Sequence, residues 1–257
     1  MRVRKWILRG VLMLVVALIG VAAVLFVMAS QFPEGYEPPL LTQEQRKQAA
    51  HEFVEQAAAL HKGVWVDAPL IWSATQEQLN RYLTSMDEIA WLRKGGKLGE
   101  VDRKLAKLGL SGLAIRLGDG MMTLMAKSEK HGKVLSVDFS LEFTPEKKLQ
   151  AKLGAARVGK LPIPDAAFRK RFAALKKSLA ARAAQENNRK PPADPRSGDD
   201  MVKILAKILA AIDEEPIAIE QEVNNRVIRL DGVDLSDGRL TLRFRPLGRQ
   251  ATTSQAS

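Results

Sequence analysis

The chain begins with a long, uninterrupted apolar segment. Residues 10–30 carry no charged side chain, and residues 11–27 include twelve Val, Leu, Ile or Phe side chains. A helix of this length spans about 30 Å, which matches the hydrocarbon core of a bilayer. We therefore predict that residues 1–30 form a basic cytoplasmic N-terminus followed by a single-pass transmembrane helix that acts as a signal anchor.

The charges on either side of this segment predict its orientation. Four basic side chains and no acid precede it within residues 1–9, whereas Glu34 and Glu37 follow it. The positive-inside rule places the N-terminus in the cytoplasm and the rest of the chain outside the cytoplasmic membrane. The alternative is a cleaved signal peptide, although the apolar region of a signal peptide is usually shorter than this segment. Both interpretations export the remaining chain.

Three prolines make residues 31–41 a stiff tether, which at about 3.1 Å per residue reaches roughly 35 Å at most. An extracytoplasmic domain is predicted over residues 42–246, followed by a disordered polar tail at residues 247–257. The short tether predicts that the domain works close to the bilayer.

Helical periodicity dominates the first part of the predicted domain. Thr42 and Thr75 are each followed three residues later by Gln, a capping-box pattern that predicts a helix after each of them. Residues 93–107 are basic and glycine-rich, and they predict a loop with no more than one helical turn.

The period then changes from 3.6 to 2. Four alternating runs between residues 113 and 153, separated by short turns, predict an antiparallel meander with one buried face. In the clearest run, Phe139 and Leu141 are expected to be buried, with Asp138 and Ser140 exposed.

The meander is followed by a helix predicted over about 166–186, a linker at 187–198, a further helix from 199 and three closing strands. The predicted fold class is therefore α+β: an N-terminal transmembrane helix, then a curved antiparallel sheet with helices packed on one face.

Composition narrows the chemistry. The chain has no cysteine, which excludes disulfide scaffolds, Cys-ligated metals and thiol catalysis. Its net charge is +11, and the part after residue 9 remains basic, which favours anionic surfaces or acidic partners. A nucleic-acid partner is not expected, since the domain lies outside the cytoplasm and has no recognition motif.

Motifs for catalysis are not found in the sequence. The three histidines are not at metal-ligating spacing, and neither a nucleophile elbow nor a phosphate-binding loop occurs. We therefore predict that the protein is not an enzyme, with no catalytic residues, no metal and no cofactor.

The helix after Asp165 carries basic residues with no acid up to Glu186. Such a helix, with an apolar stripe that includes Phe168 and Phe172, can contact anionic headgroups. The candidate contact residues are Arg169, Lys170, Lys176 and Lys177. The alternative is a solvated polar face on a helix that packs on the core.

Three short motifs carry a resemblance to a known family. They are QEQLNRYL at 76–83, VGKLPIP at 158–164 and DGRLTLRF at 237–244. Together with the N-terminal anchor, this order resembles the YpmS-like family of single-pass bacterial membrane proteins over roughly residues 72–245. The resemblance implies topology and transfers no functional residue. From the residues themselves, Leu79 and Leu83 are expected to face the sheet, and Asn80 to bond a strand or loop amide.

Taken together, the sequence predicts a non-enzymatic, membrane-anchored binding or scaffolding domain of the bacterial cell envelope. Its expected partners are the bilayer, through residues 10–30, and anionic lipid headgroups or an envelope protein. The alternative is a carrier that holds a lipid or another hydrophobic ligand between the curved sheet and a helix.

Overall fold

The computed structural model describes residues 20, 23–63, 69–94, 98–118, 120–146, 148–170, 172–174, 177, 220–223 and 226–249. Their helices are α1 (23–30), α2 (Gln43–Gly63), α3 (Gln76–Thr84), α4 (Met86–Lys94), α5 (Glu100–Lys107) and α6 (165–170, 172–174 and 177). Their strands are β1 (Leu70–Thr75), β2 (Leu110–Gly118), β3 (Met121–Ser128), β4 (Lys133–Phe143), β5 (Leu149–Val158), β6 (Leu161–Pro162), β7 (Glu220–Val223), β8 (Arg226–Ser236) and β9 (Arg239–Arg249).

The predicted meander is confirmed. Strands β2 to β6 form one antiparallel sheet in chain order, with tight turns between neighbours. Its apolar face includes Leu117, Met122 and Phe139, which occupy successive cross-strand positions. Period-2 alternation produces this face because successive side chains of a strand point to opposite sides of the sheet.

The remaining strands form a second sheet, so the α+β class is confirmed but the strands divide into two sheets where the sequence predicted one. Its order is β1-β9-β8-β7, and all its pairs are antiparallel. The early strand β1 pairs with the last strand β9, a long-range pairing that strand periodicity does not encode. Strand β9 also runs to Arg249, beyond the predicted domain end at 246, because Arg249 pairs with Arg226 at the start of β8.

Helix α3 joins the two sheets. Leu79 and Leu83 pack against a cluster that contains Ile115 from β2 and Leu235 from β8, which confirms that they face the sheet. Asn80 is buried; its amide donates to the Ile115 carbonyl at 3.0 Å and accepts from the Ile115 N–H at 2.6 Å. The expected backbone partner of Asn80 is therefore confirmed, and it is an edge strand of the five-stranded sheet.

Both predicted capping boxes are present. The Thr42 hydroxyl accepts from the Gln45 N–H at 3.3 Å, and the Gln45 side chain accepts from the Thr42 N–H at 2.8 Å. Thr75 and Gln78 repeat the arrangement at the start of α3. Helices α2, α3 and α4 pack with β1 in a cluster around Ala49, Ala50, Ala74, Tyr82 and Ile89.

The predicted loop at 93–107 is wrong over its second half, where α5 forms eight residues of helix. Gly99 at its N-cap provides no side chain. Instead, the buried carboxylate of Asp87 accepts from the N–H groups of Val101 at 2.8 Å and Asp102 at 3.2 Å. The cap therefore comes from another helix, and local sequence rules do not detect it.

Several predicted segments lie outside the described residues. They include Lys176, the linker at 187–198, the helix from 199, the tail from 250 and most of the apolar segment at 10–30. Within the part of the chain that the structure describes, no helix has the length and apolarity needed to cross a bilayer.

Candidate functional site

A row of polar side chains crosses the face of the five-stranded sheet opposite its apolar face. Arg116 on β2 lies opposite Thr123 on β3, and Thr123 lies opposite Asp138 on β4. The Thr123 hydroxyl donates to the Asp138 carboxylate at 2.9 Å, and Arg157 on β5 donates to its other oxygen at 2.8 Å. Cross-strand neighbours on one face thus form a hydrogen-bonded network.

Asp138 is 5% exposed, so the prediction that it is exposed is wrong. Ser136, two residues earlier on the same face, is 2% exposed. Phe139 is buried as predicted, whereas Leu141 and Ser140 are half-buried. The alternation correctly separated the two faces of β4, but the polar face is covered as well as the apolar one.

Part of the cover is the predicted tether. The Tyr36 hydroxyl donates to the Gly112 carbonyl at 2.8 Å, and its ring packs on Ala114, Met125 and Val134. Burial raises the pKa of the Tyr36 phenol above its ordinary value of 10.0. The tether is therefore folded onto the sheet at Tyr36, where a stiff, extended segment was expected.

The end of α1 is fastened to the same sheet. The Lys160 N–H donates to the Met28 carbonyl at 2.9 Å, and Lys133 Nζ donates to Ser30 Oγ at 3.1 Å. The same Lys133 ammonium lies 4.5 Å from the centre of the Phe26 ring. These contacts connect the last turns of α1 to the turns that begin β4 and end β5.

A cavity of about 270 Å³ lies between the tether and the polar row. Its lining residues are Pro33, Glu34, Arg116, Thr123, Met125, Ser136, Arg157, Gly159 and Lys160. Charged and hydroxyl side chains therefore form much of its wall.

The electrostatics of the cavity are dominated by cations. Among the described residues, the Arg116 guanidinium and the Lys160 ammonium have neither an ion pair nor a hydrogen-bond partner, while Arg157 shares its charge with Asp138. The buried Ser136 Oγ also has no hydrogen-bond partner there. Glu34 is the one carboxylate among the described residues that line the cavity. Such a wall can bind a small anion.

The basic helix predicted from the sequence lies elsewhere. Arg169, Lys170 and Lys177 are exposed on α6, and Arg169 donates to Asp165 at 2.8 Å. Phe168 and Phe172 pack on the apolar face of the five-stranded sheet around Phe139, Ala151 and Leu153. The described basic residues thus share one exposed helical surface, and none of them lines the cavity.

Sequence reasoning missed the cavity because its polar strand residues looked like the solvated half of amphipathic strands, and its other residues include parts of the tether and of the turn after β5. A partial signal was present: Arg116 and Asp138 occupy polar positions of two predicted runs, whereas Arg157 lies beyond the last run, which was predicted to end at Leu153. Among the described residues, no group of three or more His, Asp or Glu side chains has a metal-binding arrangement.

Comparison with known proteins gives no relative. No family model, curated protein or solved structure matches the chain. The resemblance to the YpmS-like family therefore stays a prediction based on its three motifs.

Proposed function

We propose that this protein is a non-enzymatic binding domain held at the outer face of the cytoplasmic membrane by an N-terminal, single-pass anchor. The observation that carries the proposal is the packing of residues 26–36 onto the five-stranded sheet. A domain fastened to the end of its own membrane helix has a fixed distance and orientation relative to the bilayer. A loose tether would allow neither.

The contacts at the end of α1 give this proposal its geometry. If residues 10–30 span the bilayer, Met28 and Ser30 lie where the helix leaves it. Their partners Lys160 and Lys133 then lie at the level of the lipid headgroups. Lysines at this depth are attracted to anionic lipid by about 1 kcal/mol each.

The binding role is supported by the character of the cavity beside these lysines. Two cations without a partner among the described residues, together with a buried hydroxyl, favour a polar, anionic ligand over an apolar chain. This site therefore gives less support to the alternative function predicted from the sequence, a carrier of a lipid or other hydrophobic ligand. An envelope protein remains a partner to test.

The topology is tested with reporters fused after Ser257. A reporter that works only in the cytoplasm is expected to be silent, because the basic residues before the anchor retain the N-terminus inside. The matched control carries the same reporter on residues 42–257, which have no anchor and are expected to give a bright signal. A bright full-length fusion would overturn the orientation and the proposed location.

Contact between α6 and anionic lipid is tested by cysteine labelling, which is clean because the chain has no cysteine. Full-length Ala173→Cys is placed in nanodiscs of phosphatidylcholine with or without phosphatidylglycerol. Anionic lipid is expected to slow maleimide labelling, because Arg169, Lys170 and Lys177 bring this exposed surface to the headgroups.

The control for this measurement is Ala106→Cys on the exposed face of α5, whose labelling rate should not depend on lipid charge. Charge reversal at Arg169, Lys170, Lys176 and Lys177 should restore fast labelling at position 173. Equal rates at position 173 in both lipids would show that the basic helix is only solvated.

A further inference from the structure

We propose that the cavity between residues 33–34 and the five-stranded sheet binds a phosphate group, either of an anionic lipid headgroup or of a free phosphate. This deepens the proposed function, on which it rests, by naming the ligand class. The site differs from the basic surface of α6, because it is concave, partly covered and built from four strands and the tether.

The cation geometry is the first support. Arg116, Arg157 and Lys160 come from β2, β5 and the turn after β5, yet all three line one cavity. One guanidinium N–H of Arg157 donates to the Asp138 carboxylate, which fixes the arginine side chain. The other N–H donors of Arg157 are left for a ligand. Arg116 and Lys160 have no partner among the described residues, and their two positive charges exceed the single negative charge of Glu34 on the same wall.

The buried hydroxyl is the second, independent support. Ser136 is 2% exposed, lines the cavity, and its Oγ has no hydrogen-bond partner in the described part of the chain. Burying a hydroxyl without a partner costs free energy, and such groups are usually satisfied. The Oγ atom is itself covered, so a rotation of the Ser136 side chain towards the cavity would let a phosphate oxygen accept this hydrogen bond. Thr123 cannot replace Ser136, because its hydroxyl already donates to Asp138.

The size of the cavity fits the ligand class. Its volume of about 270 Å³ is several times the roughly 30 Å³ that one water occupies in the liquid. It therefore has room for a phosphate group with some hydration, whereas an acyl chain would meet the charged wall. Arginine forks match phosphate oxygens in geometry, and lysine adds a point charge.

The position of the cavity makes a lipid phosphate a natural source. Its wall includes Gly159 and Lys160, which contact the chain at Met28, the end of α1. Lipid phosphates lie at the level where a transmembrane helix leaves the hydrocarbon core. A free phosphate would use the same donors, so the experiment separates the two sources.

Full-length protein in dodecyl maltoside is titrated with inorganic phosphate and, separately, with monomeric dihexanoyl phosphatidylglycerol by isothermal calorimetry. The wild-type protein is expected to bind at least one of them, and binding should weaken as salt is added. The double variant Arg116→Gln, Lys160→Gln should bind at least about tenfold more weakly, since charge-assisted hydrogen bonds are lost.

The matched control is Arg243→Gln, Lys107→Gln, which removes the same two charges from exposed positions outside the cavity wall. It should bind like the wild type. Ser136→Ala should weaken binding by about two- to tenfold without lowering the unfolding temperature, because its hydroxyl has no protein partner to lose among the described residues.

Each outcome decides the proposal. Binding of phosphatidylglycerol alone supports a headgroup site, and binding of inorganic phosphate, with or without phosphatidylglycerol, supports a general phosphate site. Binding of neither, or an equal loss in the control variant, overturns the proposal. Because this titration uses detergent and no bilayer, its failure would leave the membrane topology intact, and the reporter fusions test that separately.

Discussion

The environment of Asp138 in the structure differs from the one that its position in the sequence predicts. In the alternating run of β4 it occupies a polar position, and polar positions of an antiparallel sheet usually face water. Here it is 5% exposed and holds both Thr123 and Arg157. A carboxylate in this position organises the cavity wall, because it fixes the arginine that faces the cavity.

Replacing Asp138 by Ala is expected to destabilise the fold by about 2 to 3 kcal/mol. The substitution leaves a buried threonine hydroxyl without its acceptor and a partly buried arginine without its counter-ion. Chemical denaturation followed by circular dichroism measures the change.

Glu142→Ala is the control on the same strand. Its carboxylate pairs with Lys152 at 2.6 Å, but both side chains are about half exposed, at 56% and 48%. An exposed pair typically contributes about 0.2–1 kcal/mol, so Glu142→Ala should cost clearly less than Asp138→Ala. Equal losses for the two variants would show that Asp138 behaves as a surface residue.

At the scale of elements, the tether and the turn between β5 and β6 form one unit. Gly159 has a φ of +59°, and a Cβ there would lie 2.7 Å from the Ala29 carbonyl, 2.8 Å from the Met28 carbonyl and still closer to that of Gln31. Glycine is required at this position both by the left-handed backbone and by the close approach of the chain.

Gly159→Ala is expected to release residues 28–36 from the sheet. The collision with three carbonyl groups adds to the roughly 1–2 kcal/mol that a left-handed conformation costs an L-residue. Limited chymotrypsin digestion of the full-length protein should then cleave faster after Tyr36, whose ring otherwise packs against the sheet.

The control variant Gly132→Ala separates the effect of backbone strain from the effect of a steric collision of the added Cβ. Gly132 also has a left-handed backbone, with a φ of +62°, but no atom lies within 4 Å of a Cβ built there. It should lower stability without increasing cleavage at Tyr36. Faster cleavage in both variants would mean that general destabilisation, rather than release of the tether, exposes the site.

At the scale of the whole molecule, the two tyrosines link the packing to pH. Burial raises the pKa of Tyr36, and burial together with the charge of Glu52 raises the pKa of Tyr82, both from an ordinary value of 10.0. The folded protein therefore favours the neutral phenols. Their contribution to stability is complete below pH 10.0 and is lost as the pH rises through the raised values.

The expected result is an alkaline loss of stability that depends on both tyrosines. Tyr36→Phe, Tyr82→Phe removes these phenols, which are the only two in the chain. Melting temperatures measured on both sides of pH 10.0 should fall less steeply for this double variant than for the wild type. Parallel curves would contradict the assigned burial of both rings.

The sequence by itself determined the elements whose signals are local. The capping boxes at Thr42 and Thr75, the four alternating runs and the α+β class were predicted because each depends on residues a few positions apart. The role of Asn80 was also predicted in outline, since a buried amide on a helix face needs a backbone partner.

Only the tertiary structure decided how these elements combine. The pairing of β1 with β9 divides the strands into two sheets, and Asp87 caps α5 from a separate helix. The cavity exists because Tyr36 reaches Gly112, 76 residues further along the chain. Hydrophobic periodicity records which face of an element is apolar. It does not record which distant segment covers the other face, because that depends on packing the whole chain at once.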